Sequence, residues 1–392
     1  MSAQYDYLII GAGIVGAATA YTISKRYPGA RIGLVDKEAG PAVHQTSHNS
    51  GVIHAGIYYA PDSAKAKLCR AGLAATYEFA AEHGIATLQT GKLLVATSME
   101  EVGRLEALSK RATRNNAAVQ MLSQAELAEL EPHVSGLAAM RVRDTGIVDY
   151  GEIARKLLEL SLAECSFDAE VLAIQEAPNE VLVSTNRTSL SAKKLIVCAG
   201  LQADRMARLA GLETDIAIFP FRGDFYVLHE RYNQMFEHLI YPVPDPRLPF
   251  LGVHLTRHID GTVSVGPSAM LALARESYGK YRLNFTDCLE IFFKKAFWLL
   301  MSKYPRATAN ELAMALSQRL YSRAARRYCS SLTAQDFIAH RCGIRAQAVN
   351  RRGELMHDFM FERTARMLHV LNAPSPAATA ALPIGGHIVD SL

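Results

Sequence analysis

Near the start of the sequence, Gly11, Gly13 and Gly16 stand in a G-x-G-x-x-G pattern directly after the apolar run Tyr5-Asp6-Tyr7-Leu8-Ile9-Ile10. A second apolar run, Arg31-Ile32-Gly33-Leu34-Val35, ends in Asp36. In such a pattern the first glycine makes a tight turn, the second lets backbone amides approach a pyrophosphate, and the third lets a helix pack closely on a strand. The phosphates would sit on the helix N-terminus, where unpaired N–H groups and the macrodipole favour an anion. Asp36, about 20 residues past the last glycine, is spaced to accept hydrogen bonds from a ribose diol. A glycine-rich turn in a purely structural βαβ unit would use the same glycines. The order strand, glycines, helix, strand, acid favours a dinucleotide, either NAD or FAD.

The next chemically dense stretch is His44-Gln45-Thr46-Ser47-His48-Asn49-Ser50-Gly51-Val52-Ile53-His54-Ala55-Gly56-Ile57-Tyr58-Tyr59. Small and polar residues let backbone come close to a ligand, and His44, His48 and His54 could move protons near neutral pH. A solvated surface loop is the plainer account. Val52-Ile53 and Ile57-Tyr58-Tyr59 are too apolar for one, so the run is expected to face a ligand.

The elements that must position these residues follow from periodicity and punctuation. Strand 5–10, a helix to about residue 26 and strand 31–35 form the first βαβ unit. Helices are expected over 64–83, 100–116, 123–131 and 151–164, with a strand at 91–97 and a small meander over 170–191. Ser123 with Glu126 makes a capping box, and Pro132 ends that helix. Lys194-Leu195-Ile196-Val197-Cys198-Ala199-Gly200 reads as a parallel core strand whose C-terminal edge meets a ligand. Strands are expected at 216–219, 224–228, 249–255 and 262–265, and helices at 285–303, 309–327 and 333–339. The chain closes with strands at 344–349 and 367–371 and an Ala-rich helix begun by Pro374 and running toward Ile388. This is an α/β chain. A Rossmann-like, parallel-sheet dinucleotide domain is expected over 1–90, 145–213 and 341–392, interrupted by an antiparallel-sheet plus helix substrate domain over 91–144 and 214–340, with a helical insertion at 285–340.

Composition narrows the class. At 392 residues the chain can form two or three packed domains, and 49% hydrophobic with 20% charged residues is ordinary for a globular protein. Lys and Arg number 42 against 38 Asp and Glu, a net charge of +4 that is too small to argue for nucleic acid. The six cysteines are scattered without a CxxC pair, so reduced thiols are expected, with neither a disulfide framework nor a metal site. No leader pattern precedes the first strand and no 18-residue uncharged run occurs, so the expected location is cytoplasmic. Within residues 285–327, Phe285, Leu289, Phe292, Phe293, Phe297, Trp298 and Leu299 lie beside Lys294, Lys295 and Lys303, and from Lys303 to Arg327 the basic residues face one acid, Glu311. Such a segment suits peripheral contact with an anionic membrane, while core packing of amphipathic helices explains the same stripe.

Several longer motifs resemble the L-2-hydroxyglutarate dehydrogenase/oxidase family, within the FAD-dependent oxidoreductases of the D-amino-acid oxidase class. They are His48 to Tyr59 with Lys65-Ala66-Lys67-Leu68-Cys69, Pro249-Phe250-Leu251-Gly252-Val253-His254-Leu255-Thr256-Arg257, Gly343-Ile344-Arg345-Ala346-Gln347-Ala348, and Asn372-Ala373-Pro374-Ser375-Pro376-Ala377-Ala378-Thr379. Ser268-Ala269-Met270 departs from the family pattern. The resemblance covers nearly the whole chain. It implies FAD rather than NAD, held by Gly11, Gly13, Gly16, Asp36, Lys37, Ser47, His48, Asn49, Ser50, Gly51, Val171, Ala199, Gly200, Arg345, Pro374, Ser375 and Ala377.

It also implies oxidation of L-2-hydroxyglutarate to 2-oxoglutarate, with electrons passed to a quinone or to oxygen. A hydroxyl proton must then leave to a base, for which His54 is the first candidate and His254 the second. Two substrate carboxylates call for charge-assisted donors, preferably the arginine fork. Arg257 and Arg345 are the expected clamps, with Arg222 and Tyr58 as further substrate contacts and Asp224 a competing partner for Arg222. Competing expectations are a same-fold oxidase of an amino acid or glycerol 3-phosphate, a non-enzymatic flavin-binding redox sensor, and an NAD-specific dehydrogenase.

Overall fold

The structure, a computed structural model, describes residues 3–247, 252–279 and 282–392. Strand Ala3–Ile10 leads through Gly11-Ala12-Gly13 into helix Ile14–Arg26 and then strand Ile32–Val35. Ala3–Ile10 is central in a parallel sheet. Strand Ser189–Val197 runs beside it on one side and Ile32–Val35 on the other. Glu164–Ser166 extends the sheet beyond Ile32–Val35, and Met367–Asn372 extends it beyond Ser189–Val197. Leu8, Ile9 and Ile10 are all buried, as expected of a parallel strand covered on both faces. Ile9 packs into the cluster holding Ala17, Ala18, Ile384 and Ile388, whereas Leu8 and Ile10 pack with Val181, Val183 and Val197. The alanines of Ile14–Arg26 leave room for a closely packed neighbour, and helix Ala381–Asp390 takes it: a Cβ on Gly385 would lie 2.8 Å from the Ala18 backbone.

A second sheet is built on Ala217–Leu228 and Phe337–Val349, which pair antiparallel along almost their full lengths. Strands Val263–Gly266, His254–Arg257, Leu239–Pro242 and Lys92–Ala96 continue it outward. Helices Phe285–Phe292, Lys295–Lys303, Pro305–Leu316 and Gln318–Arg326 follow one another on the chain. The first is tied to the parallel-sheet unit by buried charge. Arg275, 1% exposed, forms ion pairs with fully buried Asp204 and with Glu290, while Arg205 pairs with Asp287 and Glu290.

Several expected boundaries shift. The helix expected over 151–164 is Tyr150–Ser161; Leu162 adopts a left-handed conformation, and Glu164–Ser166 becomes a sheet strand. Segments 216–219 and 224–228 are one strand, because Phe221, Arg222 and Gly223 stay in the ladder with Phe337–Val349. The helices expected at 285–303 and 309–327 each break in two, at Phe293-Lys294 and at Ser317. Residues 333–339 are not a helix: a single capped turn, Ala334–Asp336, leads into the long strand. The final helix begins at Ala381, not at Pro374, and residues 373–380 form turns. Pro249, Phe250 and Leu251 of the expected strand 249–255 lie outside the described residues, and the observed strand is His254–Arg257.

Candidate active site

A cavity of about 1080 Å³ lies between the two sheets, above the range of roughly 300–1,000 Å³ usual for small-molecule sites. One wall is the C-terminal edge of the parallel sheet. Gly11, Gly13, Asp36, Val171, Ala199 and Gly200 all reach it. The turn after the first strand is as tight as the glycine pattern requires: Gly11 has φ +105°, and a Cβ on Gly16 would lie 2.0 Å from the Gly11 carbonyl oxygen. Gly16 therefore packs helix on turn and does not line the cavity. Gly13 differs. A Cβ there would meet only Thr46 Oγ1, at 3.4 Å, so its exposed face is open to the cavity. Thr46 Oγ1 accepts the Ile14 N–H, and Asp36 accepts the Ala12 and Glu38 N–H groups, which fixes the loop around the helix start.

These observations fit an adenine dinucleotide's diphosphate at the helix start and its ribose near Asp36. His48, Asn49 and Ser50 also line the cavity, as do Pro374, Ser375 and Ala377. His48 is held by stacking on Tyr278, with ring centroids 3.7 Å apart, and by a bond from Nδ1 to the Cys342 carbonyl. Asn49 turns its amide back to the Thr46 carbonyl and accepts the Gly51 N–H, so its side chain shapes the loop. Ser47 and Gly51 do not line the cavity. Ser47 packs against Gly151, and a Cβ on Gly51 would come 2.8 Å from the Val148 carbonyl oxygen, so that glycine serves a backbone contact. Lys37 reaches the cavity but spends its ammonium on Glu38 and Glu276.

The opposite wall comes from the second sheet and the histidine-rich segment. His54, Tyr58, Tyr241, His254 and Arg345 converge there. The His54 backbone N–H donates to Thr379 Oγ1 at 3.1 Å, and the same hydroxyl shares a 2.8 Å bond with the Tyr150 hydroxyl. His254 stacks on Tyr241 with centroids 3.9 Å apart and its Nδ1 bonds the Gly252 carbonyl. Burial, followed by the charges of Lys92, His254 and Lys65, pushes His54 down to about 3. Burial likewise brings His254 to about 3, against its carbonyl bond. Both rings are neutral at neutral pH, the form able to accept a proton.

Burial also lowers the Arg345 pKa, while Glu311 and Tyr241 act in the opposite sense. Guanidinium ionises too weakly to lose its proton for that reason. Glu311 had stood out as a lone acid among basic residues. It turns inward, accepts the Ala269 N–H at 2.6 Å and lies in the field of Arg345, with burial raising its pKa.

Two expected clamps are elsewhere. Arg257 does not line the cavity; three residues on in the same strand, it points to the face opposite that of His254, and its Nε is buried without a hydrogen-bond partner among the described residues. Arg222 pairs with Asp224, its Nε 2.9 Å from Oδ1, and also does not line the cavity. Two lysines were missed as site residues. Lys65 lines the cavity, and Lys92, 1% exposed, places Nζ 4.8 Å from the Tyr58 ring centroid and 5.0 Å from that of Tyr241. Lys65 lies in a quoted motif and could have been found there, whereas Lys92 sits in an apolar strand pattern that gives no sign of a buried charge facing aromatic rings.

A family model described as FAD dependent oxidoreductase matches residues 6–391. The L-2-hydroxyglutarate dehydrogenase of Salmonella houtenae is 46% identical over 99% of this chain and 93% of its own. The mitochondrial L-2-hydroxyglutarate dehydrogenase of Homo sapiens is 38% identical over 100% of this chain and 89% of its own. Among solved structures, an FAD-bound L-alpha-glycerophosphate oxidase of Mycoplasma pneumoniae superposes with a TM-score of 0.80 at 23% identity, covering 98% of this chain and 94% of its own. A glycine oxidase of Geobacillus kaustophilus gives 0.75 at 17% identity, covering 99% and 94%. At those identities the two structures speak for the fold alone.

Proposed function

Since this chain belongs to the FAD dependent oxidoreductase family, among the L-2-hydroxyglutarate dehydrogenases, we propose that it oxidises L-2-hydroxyglutarate to 2-oxoglutarate. The observation that carries the reading is the junction of a dinucleotide wall, at Gly11, Gly13 and Asp36, with a wall holding two neutral histidines and Arg345 in the same cavity. FAD bound there supplies a hydride acceptor for the substrate C2–H.

The chain's own residues supply the rest. Arg345 offers a bidentate clamp to the carboxylate next to the reacting carbon. His54 takes the hydroxyl proton. Its pKa of about 3 makes it a weak base in the empty site, but a bound dianion favours the imidazolium and raises its basicity when the substrate is present. Thr379 and Tyr150 position the His54 backbone, and His254 is the second candidate base. The mixed wall favours this reading over a redox sensor, and the cations favour an acid over a neutral amine.

The test is anaerobic mixing of the purified flavoprotein with L-2-hydroxyglutarate, glycerol 3-phosphate and amino acids separately. Bleaching of the flavin absorbance by L-2-hydroxyglutarate alone supports the proposal. Bleaching only by another substrate, or by none, sinks it. His54→Ala should retain FAD and lose about 10²–10⁴-fold in turnover, the range for one general base; unchanged turnover passes the role to His254.

The reading includes a division into a cofactor unit (1–90, 145–213 and 341–392) and a substrate unit (91–144 and 214–340); strand membership of the sheets agrees with it except at 341, since Phe337–Val349 lies wholly in the second sheet and the cofactor unit resumes only after Val349. It also includes transfer of electrons to a quinone at the inner face of the cell membrane. No helix among the described residues is long and apolar enough to cross a membrane. Helices Phe285–Phe292 and Lys295–Lys303 divide their apolar residues instead: Ile291, Phe297 and Leu300 pack under Phe219 and Phe221, while Phe285, Phe293 and Trp298 are 73%, 83% and 57% exposed. That outward aromatic group supports peripheral contact. Sedimentation with anionic vesicles, lost on Phe285→Ser/Phe293→Ser, checks it, and equal sedimentation of both proteins excludes this surface.

A further inference from the structure

A substrate with two carboxylates needs two cationic partners, because an ionised carboxylate placed in a cavity without one is strongly disfavoured. Arg345 can serve the first. The arginine expected to serve the second, Arg257, does not line the cavity. We propose that Lys65 receives the second carboxylate and so selects dicarboxylate over monocarboxylate 2-hydroxy acids; this rests on the functional reading above.

Lys65 stands in the first turn of helix Ala64–Glu82 and lines the cavity beside Tyr59. Its Nζ lies 5.0 Å from the centre of the Tyr59 ring and donates to the His357 carbonyl at 2.9 Å. An ammonium carries three donors, so two remain beyond that bond. No carboxylate lies within ion-pair distance of it among the described residues, unlike Lys37, which also reaches the cavity but is neutralised by Glu38 and Glu276. The carbonyl and ring fix the head of a flexible side chain without cancelling its charge. That is the arrangement of a preorganised anion receptor.

Arg345, His254, His54 and Lys65 all line this one cavity. Arg345 acts electrostatically on His254, and His254 and Lys65 act on His54. A five-carbon chain with a carboxylate at each end and its hydroxyl next to one of them can use these groups together: Arg345 on the near carboxylate, His54 at the hydroxyl, Lys65 on the far carboxylate. Lys92 adds positive potential from below the rings but, enclosed by Tyr58 and Tyr241, is not among the residues lining the cavity.

The test compares FAD-loaded full-length wild type, Lys65→Met and Lys65→Arg in two measurements. Glutarate and butyrate, which cannot be oxidised at C2, are titrated against the flavin absorbance. L-2-hydroxyglutarate and L-2-hydroxyvalerate are then compared in steady-state turnover with a dye acceptor. Loss of one charge-assisted bond predicts that Lys65→Met weakens glutarate binding and raises the KM for L-2-hydroxyglutarate by roughly 10–100-fold. Butyrate binding should stay within twofold, kcat/KM on L-2-hydroxyvalerate should change far less than that on L-2-hydroxyglutarate, and Lys65→Arg should restore most of the dicarboxylate preference. Equal losses on both classes of ligand, or unchanged glutarate binding, overturn the assignment. A wild type that binds glutarate through Lys65 yet does not oxidise L-2-hydroxyglutarate overturns the functional reading and leaves the anion receptor standing.

Discussion

Lys92→Met separates what the buried ammonium costs from what it contributes. Lys92 is 1% exposed, and burial pushes its pKa from about 10.5 down to about 7, with Cys69 acting weakly the other way. A fall of that size corresponds to about 5 kcal/mol at about 1.4 kcal/mol per pKa unit. Because the folded value lies below the unfolded one, the folded state binds fewer protons. The penalty is absent above about pH 10.5, grows as pH falls and is complete below about pH 7. Cation–π contact with Tyr58 and Tyr241 offsets up to about 2 kcal/mol, leaving a net cost of about 3 kcal/mol.

Methionine keeps the unbranched stem and removes the charge. With an unfolding entropy of about 2 cal/mol/K per residue, about 3 kcal/mol in a chain of this length is a Tm rise of about 4 °C. Calorimetry of the FAD-free protein should therefore show Lys92→Met unfolding about 4 °C above wild type at pH 7, with the difference cut to about half at pH 9.5. The same substitution removes a charge that lowers His54 and His254, so both imidazoles should become more basic in Lys92→Met. A variant less stable than wild type at pH 7, or a gap independent of pH, refutes the reasoning.

The two helix-start glycines should respond differently: Gly16→Ala collides with the Gly11 carbonyl and should yield little folded protein, whereas Gly13→Ala should fold but lose FAD affinity, read by flavin fluorescence of the released cofactor. The pH profile of kcat/KM reports free-enzyme groups. With His54 and His254 both brought to about 3, no acid limb from imidazole protonation should appear between pH 5 and 7. Burial brings Lys65 to about 8 against the pull of Asp358 and Cys69, so for dicarboxylates the KM should rise above about pH 8; the rise should vanish in Lys65→Arg.

The cofactor wall was legible in the sequence because its requirements are local. A strand, a turn that only glycine can make and a helix start are consecutive, so Gly11, Gly13 and Asp36 could be placed without knowing the rest of the chain. The substrate wall was legible only as motifs. His54, His254 and Arg345 reach the cavity, but Arg257, three residues from His254, does not, because strand alternation and the path of one short strand decide which side chains face in. Arg222 shows the same limit: Asp224 two residues on shares its strand face and takes the guanidinium. Helix ends failed where tertiary pairing won. Phe337–Ala339 joins Val227 and Leu228 in a ladder despite a helix-like local pattern, and Glu164–Ser166 is drawn into the parallel sheet beside Ile32–Val35. Lys92 could not be recognised, since its environment comes from Tyr58 and Tyr241, far away in sequence.

The bond from the His54 amide to Thr379 spans 325 residues of chain. During synthesis the glycine turn and the histidine segment leave the ribosome well before residues 372–379, which close the cavity around them. Contacts of such separation form late, after the intervening loops have been closed by other structure. Until residues 372–379 are made, the emerging chain carries a half-built cofactor cleft. Insertion of FAD therefore waits until residues 372–379 have joined the glycine turn and the histidine segment around the cavity.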